Sequence, residues 1–111
     1  MEILNFDEKT IVNYIESIRP PEEIRKSVDL GYSFSVKEVV LFEIRPKWSD
    51  EPQLTHYPFV KAKYIKVHKH WKIDWMSAAG KWELYTPNPT VRDLAEFVDI
   101  VEDDELGCFR G

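Results

Sequence analysis

The chain predicts an α+β fold: an N-terminal helix plus a short second helix, about five mainly antiparallel strands, and a C-terminal helix. Three observations predict it. Apolar residues recur at helical spacing near the two ends of the 111 residues. Between them, apolar and polar residues alternate at strand spacing. The clearest pair of strands is joined by a four-residue loop, Ser77-Ala78-Ala79-Gly80, with glycine where a positive φ is needed.

The first helix runs from about Asp7 to Ile18, with Asp7 as N-cap and Ile11, Ile15 and Ile18 along one stripe. Pro20 and Pro21 end it, because a residue before proline is pushed out of helical geometry. Pro21 suits the first position of a short second helix, and Glu22 and Glu23 complement that helix's dipole. Leu30, Tyr32, Phe34 and Val36 then alternate with Gly31, Ser33 and Ser35 as a half-buried strand. Val39–Arg45 is nearly continuous in apolar character and reads as a central strand. Pro46 to Pro58 reads as the longest irregular stretch, with Pro52 and Pro58 arguing against structure within it.

Phe59–Tyr85 reads as three strands. The Ser77–Gly80 loop sets Trp75 against Trp82, Ile73 against Leu84 and Trp71 against Thr86, an aromatic ladder for the helices to cover. Upstream, the apolar phase switches from Val60, Ala62 and Tyr64 to Trp71, Ile73 and Trp75, so a hairpin or a bend lies near Val67–His70. Thr90 and Asp93 have the spacing of a capping pair for the last helix, with Val91, Leu94, Ala95, Val98 and Val101 as its stripe. The acids Glu102–Glu105 oppose the dipole, so that helix should stop near Val101.

Composition narrows the class. One domain, residues 1–111, fits the length, and a hydrophobic content of 43% with four tryptophans excludes a disordered chain. The lone Cys108 excludes an internal disulfide and suits a reducing compartment. MEILNFDEKT is not a signal peptide, and no apolar run approaches the ~18 residues of a membrane span. These features predict a cytoplasmic protein that engages no membrane.

Several motifs carry a resemblance. RPPEEIR followed by LFEIRPKW, with WKIDW, KWELY and a closing GCFRG, resembles a family of small bacterial proteins classed as a domain of unknown function. The resemblance runs from about Arg19 to Gly111. It implies a bacterial origin and a single domain, and it carries no catalytic residue across.

The sharpest functional signal is the basic segment Lys61–Lys72 (KAKYIKVHKHWK), with five lysines and no acid in a chain of net charge −5. Lys61, Lys63, Lys66, Lys69 and Lys72 suit phosphates, and Tyr64 and Trp71 suit base stacking. The alternatives are a solvated sheet face and a contact with the chain's own acidic helix, Asp93–Glu105, within one molecule or across a homodimer. Arg45, near Trp48, is a further anion-binding candidate with Lys61 or Lys63, or else a surface partner of Glu43.

The carboxylates Asp74 and Glu83 stand opposite one another in the hairpin register above, with Lys72 and Lys81 as neutralising neighbours. His56, His68 and His70 have the residue type of zinc ligands, but flanking lysines repel a cation and exposed turn histidines are the simpler reading. No phosphate loop, serine elbow or CxxC is present, so no catalytic residue, metal or cofactor is assigned.

Two functions follow as expectations. The first is a non-catalytic binding module for an anionic polymer, nucleic acid among them, or for an acidic protein surface, acting as a monomer or homodimer. Its contacts are Lys61, Lys63, Lys66, Lys69, Lys72, Arg45, Tyr64 and Trp48. The second is a small metal-independent, RNA-cleaving, toxin-like enzyme, which would need Arg45, His68, His70, Asp74 and Glu83 to converge in one pocket.

Overall fold

A computed structural model describes residues 6–47, 53–104, 106, 107 and 109 of the chain. Two helices, α1 (Phe6–Ile18) and α2 (Leu94–Asp103), flank six strands: β1 (Asp29–Phe34), β2 (Glu38–Lys47), β3 (Gln53–Ile65), β4 (His70–Met76), β5 (Trp82–Leu84) and β6 (Thr90–Val91). The class is α+β. β1 to β5 form an antiparallel meander in chain order, and β6 also pairs with β4. None of the helices in the described residues is long and apolar enough to cross a membrane. Trp48, Pro52, Glu105 and Cys108, which the sequence singles out, lie outside the described residues.

α1 forms where its isoleucine stripe predicts, with Ile11, Tyr14 and Ile15 buried. The expected short second helix is instead a run of hydrogen-bonded turns over 22–27, in which the Ile24 and Ser27 amides donate to Pro21 and Ile24 carbonyls. One turn is too short to repay the cost of helix nucleation. Arg19 closes this segment onto the sheet. Its Nε and Nη2 donate to the two carboxylate oxygens of Asp29 at 2.9 and 2.8 Å.

That fork holds the Asp29 carboxyl below its ordinary value of 3.8, chiefly through the Arg19 hydrogen bonds. A carboxylate with a lowered native pKa stabilises the fold above its unfolded pKa, and the contribution is lost as pH falls through the native one. Arg19→Gln should therefore lower the melting temperature most at neutral pH. The gap to the parent should shrink below about pH 4, which a melting series from pH 7 to pH 2.5 would show.

The phase switch inside the basic segment resolves as a hairpin. β3 and β4 pair Val60 with Trp75, Ala62 with Ile73 and Tyr64 with Trp71, around a turn of Lys66–Lys69. An even-numbered apolar set thus meets an odd-numbered one on a single face, as a four-residue connection requires. Within Pro46 to Pro58, expected to be irregular, the described residues 46, 47 and 53–58 are strand instead. β2 and β3 stay paired from Pro46↔Leu54 through Phe42↔Pro58 to Glu38↔Lys63. The register shifts between Leu41 and Phe42, leaving Phe59 as the extra residue of a bulge. Pro58 sits beside that bulge and beyond the reach of β4, a position where proline is tolerated.

The last hairpin is one residue out of the expected register. Met76 faces Trp82, Trp75 faces Glu83 and Asp74 faces Leu84. Its loop takes in Lys81, whose carbonyl accepts from the Ser77 amide at 2.9 Å, and Gly80 has a φ of 77°. A one-residue slip reverses every side chain. Trp82 and Leu84 therefore leave the expected ladder for the opposite face, and Tyr85 enters the core in their place.

α2 also differs from expectation at both ends. Thr90–Val91 is a strand, and Asp93 alone is the N-cap, accepting from the Glu96 amide. The helix continues to Asp103, where Asp104 adopts a left-handed φ of 43°.

Both helices pack on one face of the sheet. Ile11, Tyr14 and Ile15 of α1 and Leu94, Phe97 and Val101 of α2 join Leu30, Val39, Leu41, Val60, Ala62, Trp71 and Ile73 in one core. Alternation then sends Val40, Phe42, Lys61, Lys63, Lys72, Asp74 and Trp82 to the outer face.

Candidate anion-binding groove

The basic segment does not form one surface. Because it turns back on itself at Lys66–Lys69, its lysines divide between the outer face and the hairpin end. Lys61 stands opposite Asp74, and its Nζ lies 4.6 Å from the centre of the Trp82 ring. Lys63 stands opposite both Glu38 and Lys72, and Lys72 Nζ is 3.8 Å from Asp74 Oδ1. Like charges facing each other destabilise a sheet, and Glu38 and Asp74 offset this pair. Asp74 is itself buried.

Lys66, Lys69 and Tyr64 come together elsewhere. With Lys37 and Val36 of the β1–β2 turn they line a groove of about 700 Å³. A second depression of about 280 Å³ adjoins it, sharing Val36, Tyr64 and Lys69 and adding Trp71, Arg92, Asp7 and Asp93. The two turns are brought side by side by the β2–β3 pairing, which continues past Glu38↔Lys63 as the Tyr64 amide donates to the Lys37 carbonyl at 2.8 Å. Tyr64 is half-buried, with its ring centre 5.1 Å from that of Trp71 at a 55° tilt.

Four cations thus line the two depressions together with Tyr64 and Trp71, against two carboxylates. Both carboxylates belong to helix starts: Asp7 lies in the first turn of α1, and Asp93 caps α2. Arg92 reaches Glu96 Oε1 at 3.1 Å. Among the described residues, Glu102, Asp103 and Asp104 at the far end of α2 do not line the groove. The helix begins at the groove and runs about 15 Å away from it, so that Glu102 accepts from Tyr14 Oη at 2.9 Å. Of the contact expected between the basic segment and the acidic helix Asp93–Glu105, the helix start takes part, since Asp93 lines the same depression as Lys69, whereas Glu102 is turned to Tyr14.

Lys69 carries strain. Its φ of 53° is a left-handed conformation that costs a side-chain-bearing residue roughly 1–2 kcal/mol. Lys69→Gly should stabilise the fold by about 0.5–1 kcal/mol, after the greater entropy of glycine in the unfolded chain is counted. Thermal denaturation should read this as a rise of a few degrees; a fall would contradict the strain.

Arg45 is remote from all of these. It lies on the helix-bearing side near the far end of β2, with Nε and Nη2 donating to Glu43 Oε2 at 3.0 and 2.6 Å. It borders shallow depressions with Ser27, Pro46 and Tyr57, and Lys61 and Lys63 project from the opposite face. The anion pocket suggested for Arg45 with those lysines is not formed.

The groups required for RNA cleavage do not converge either. His68 and His70 stack on each other at the hairpin tip with centroids 5.3 Å apart, and His68 is exposed. Asp74 is on the outer face, and Glu83, opposite Trp75, projects from the other. Among the described residues, no group of three or more His, Cys, Asp or Glu is placed to hold a metal ion.

Sequence reasoning missed Lys37 and Arg92. Neither lies in a basic run; each reaches the groove only through strand pairing and the start of α2. No curated protein and no solved structure matches the chain. A family model described as a domain of unknown function, DUF3024, matches residues 2–111, and the chain belongs to that family.

Proposed function

We propose that this chain is a non-catalytic binding module that takes an anionic partner in the groove at the β3–β4 hairpin end. The observation that carries the reading is the convergence of Lys37, Lys66, Lys69 and Arg92 around half-buried Tyr64 in a chain whose net charge is −5. Local positive charge in an acidic protein selects partners by charge, since the rest of the surface repels the same anions. The groove's volume is within the range of sites that recognise chemical groups. Lys61, Lys63 and Lys72 have acidic neighbours on the outer face, and Arg45 is paired with Glu43, so the reading rests on Lys66, Lys69 and Tyr64 of the residues singled out from sequence.

Fluorescently labelled inorganic polyphosphate tests this in its simplest form. Binding should be measurable at 50 mM salt and weaken by at least 10-fold at 200 mM, as counterion release by a few lysines requires. The double variant Lys66→Glu/Lys69→Glu should lose at least 10-fold in affinity. Lys81→Glu, in the β4–β5 loop, should stay within about 2-fold of the parent. Absence of binding at low salt, or equal losses in both variants, would overturn the proposal.

A further inference from the structure

The charge of the groove does not account for the rest of its lining. Beside Lys37, Lys66 and Lys69, the groove is lined by half-buried Tyr64 and by Val36, which supply an aromatic and an aliphatic surface. Val36, 72% exposed in the β1–β2 turn, lines the groove beside these lysines. Tyr64 borders both depressions, and Trp71 supports its ring from the core side. Lys69 also borders both, from a backbone conformation that glycine would adopt more easily. Strain of this kind at a side chain facing a groove is the pattern expected where the side chain itself is used.

From these features we infer that the groove binds single-stranded nucleic acid, with one base stacked on Tyr64 and adjacent phosphates on Lys37, Lys66 and Lys69. The inference rests on the anionic-partner reading and names its ligand. An aromatic ring and lysines lining one groove fit a nucleotide, which joins a π-surface to a charged backbone. Acidic peptide has charge without the flat ring, so it leaves Tyr64 and Val36 without a role. In a duplex the bases are already stacked on one another, which denies Tyr64 a partner.

Anisotropy with two labelled strands tests the assignment: a thymidine dodecamer, and an abasic strand with the same number of phosphates. The dodecamer should bind at least 10-fold more tightly than the abasic strand at 50 mM salt, the effect expected from stacking one base. Tyr64→Leu should remove that difference while leaving abasic binding within about 2-fold, and Tyr64→Phe, which keeps the ring, should retain it. Lys69→Gly should weaken binding of both strands while raising the melting temperature, which separates lost contact from lost fold.

Equal affinity for the two strands would overturn the nucleic-acid inference and leave the anion-binding groove standing. Preference for the dodecamer that survives in Tyr64→Leu would overturn it as well. Failure of both strands and of polyphosphate to bind would overturn the groove itself.

Discussion

Replacing Phe97 by alanine should destabilise the protein by about 3–5 kcal/mol, the usual cost of emptying a buried aromatic site. Phe97 is fully buried and is the middle of the three α2 residues, with Leu94 and Val101, that face the core. A ten-residue helix has little stability of its own, so α2 stays in place through these three side chains and its Asp93 cap. Such a loss would be a large part of the 5–15 kcal/mol that ordinarily separates folded from unfolded states. Urea denaturation should show a lower midpoint with little change of slope. Phe97→Leu, which refills most of the space, should cost less than half as much. A loss below 1 kcal/mol in the alanine variant would mean that α2 is not packed as described.

The second large effect is at Gly31, and the mechanism is the reverse: too much volume instead of too little. Gly31 is paired with Phe42, and a Cβ there would lie 2.8 Å from Phe42 Cε1, 3.1 Å from Cζ and 3.3 Å from Ile44 Cδ1. The Phe42 ring cannot simply swing aside, because it stacks on His56 with centroids 4.2 Å apart. Gly31→Val should therefore cost about 1–3 kcal/mol, as overpacking does. Combining Gly31→Ala with Phe42→Leu should recover stability relative to Gly31→Ala alone, since the smaller side chain opens the contact. Additive losses in that double variant would show that the glycine is required for some other reason.

Much of this fold is written in short-range pattern. The isoleucines of α1, the alternation around Tyr32 and Phe34, and the apolar run at Val39–Arg45 each specify an element because burial enforces their period. The errors occur where pairing outweighs local chemistry. Pro58 reads as a breaker, yet it sits where a strand can do without an N–H, which only the extent of the neighbouring strand reveals. The β4–β5 register depends on whether the turn closes at Gly80 or Lys81, and one residue there moved Trp82 and Leu84 across the sheet.

The site was half legible for the same reason. Lys66, Lys69 and Tyr64 lie within eight residues of one another in an evident basic run. Lys37 and Arg92 are 29 residues before and 23 residues after Lys66 and Lys69 respectively, and no local pattern marks them. The same topology separated Arg45, Lys61, Lys63 and Lys72 from the groove, although composition alone grouped all the cations together.

The most direct test of the groove is a residue-resolved one. A thymidine dodecamer or inorganic polyphosphate titrated into ¹⁵N-labelled protein should move the amide resonances of Val36, Lys37, Tyr64, Lys66, Lys69 and Arg92 together. The resonances of Arg45, Lys81 and Glu83 should stay in place. Shifts centred on Arg45, or on the outer-face residues Lys61, Lys72 and Trp82, would contradict the account.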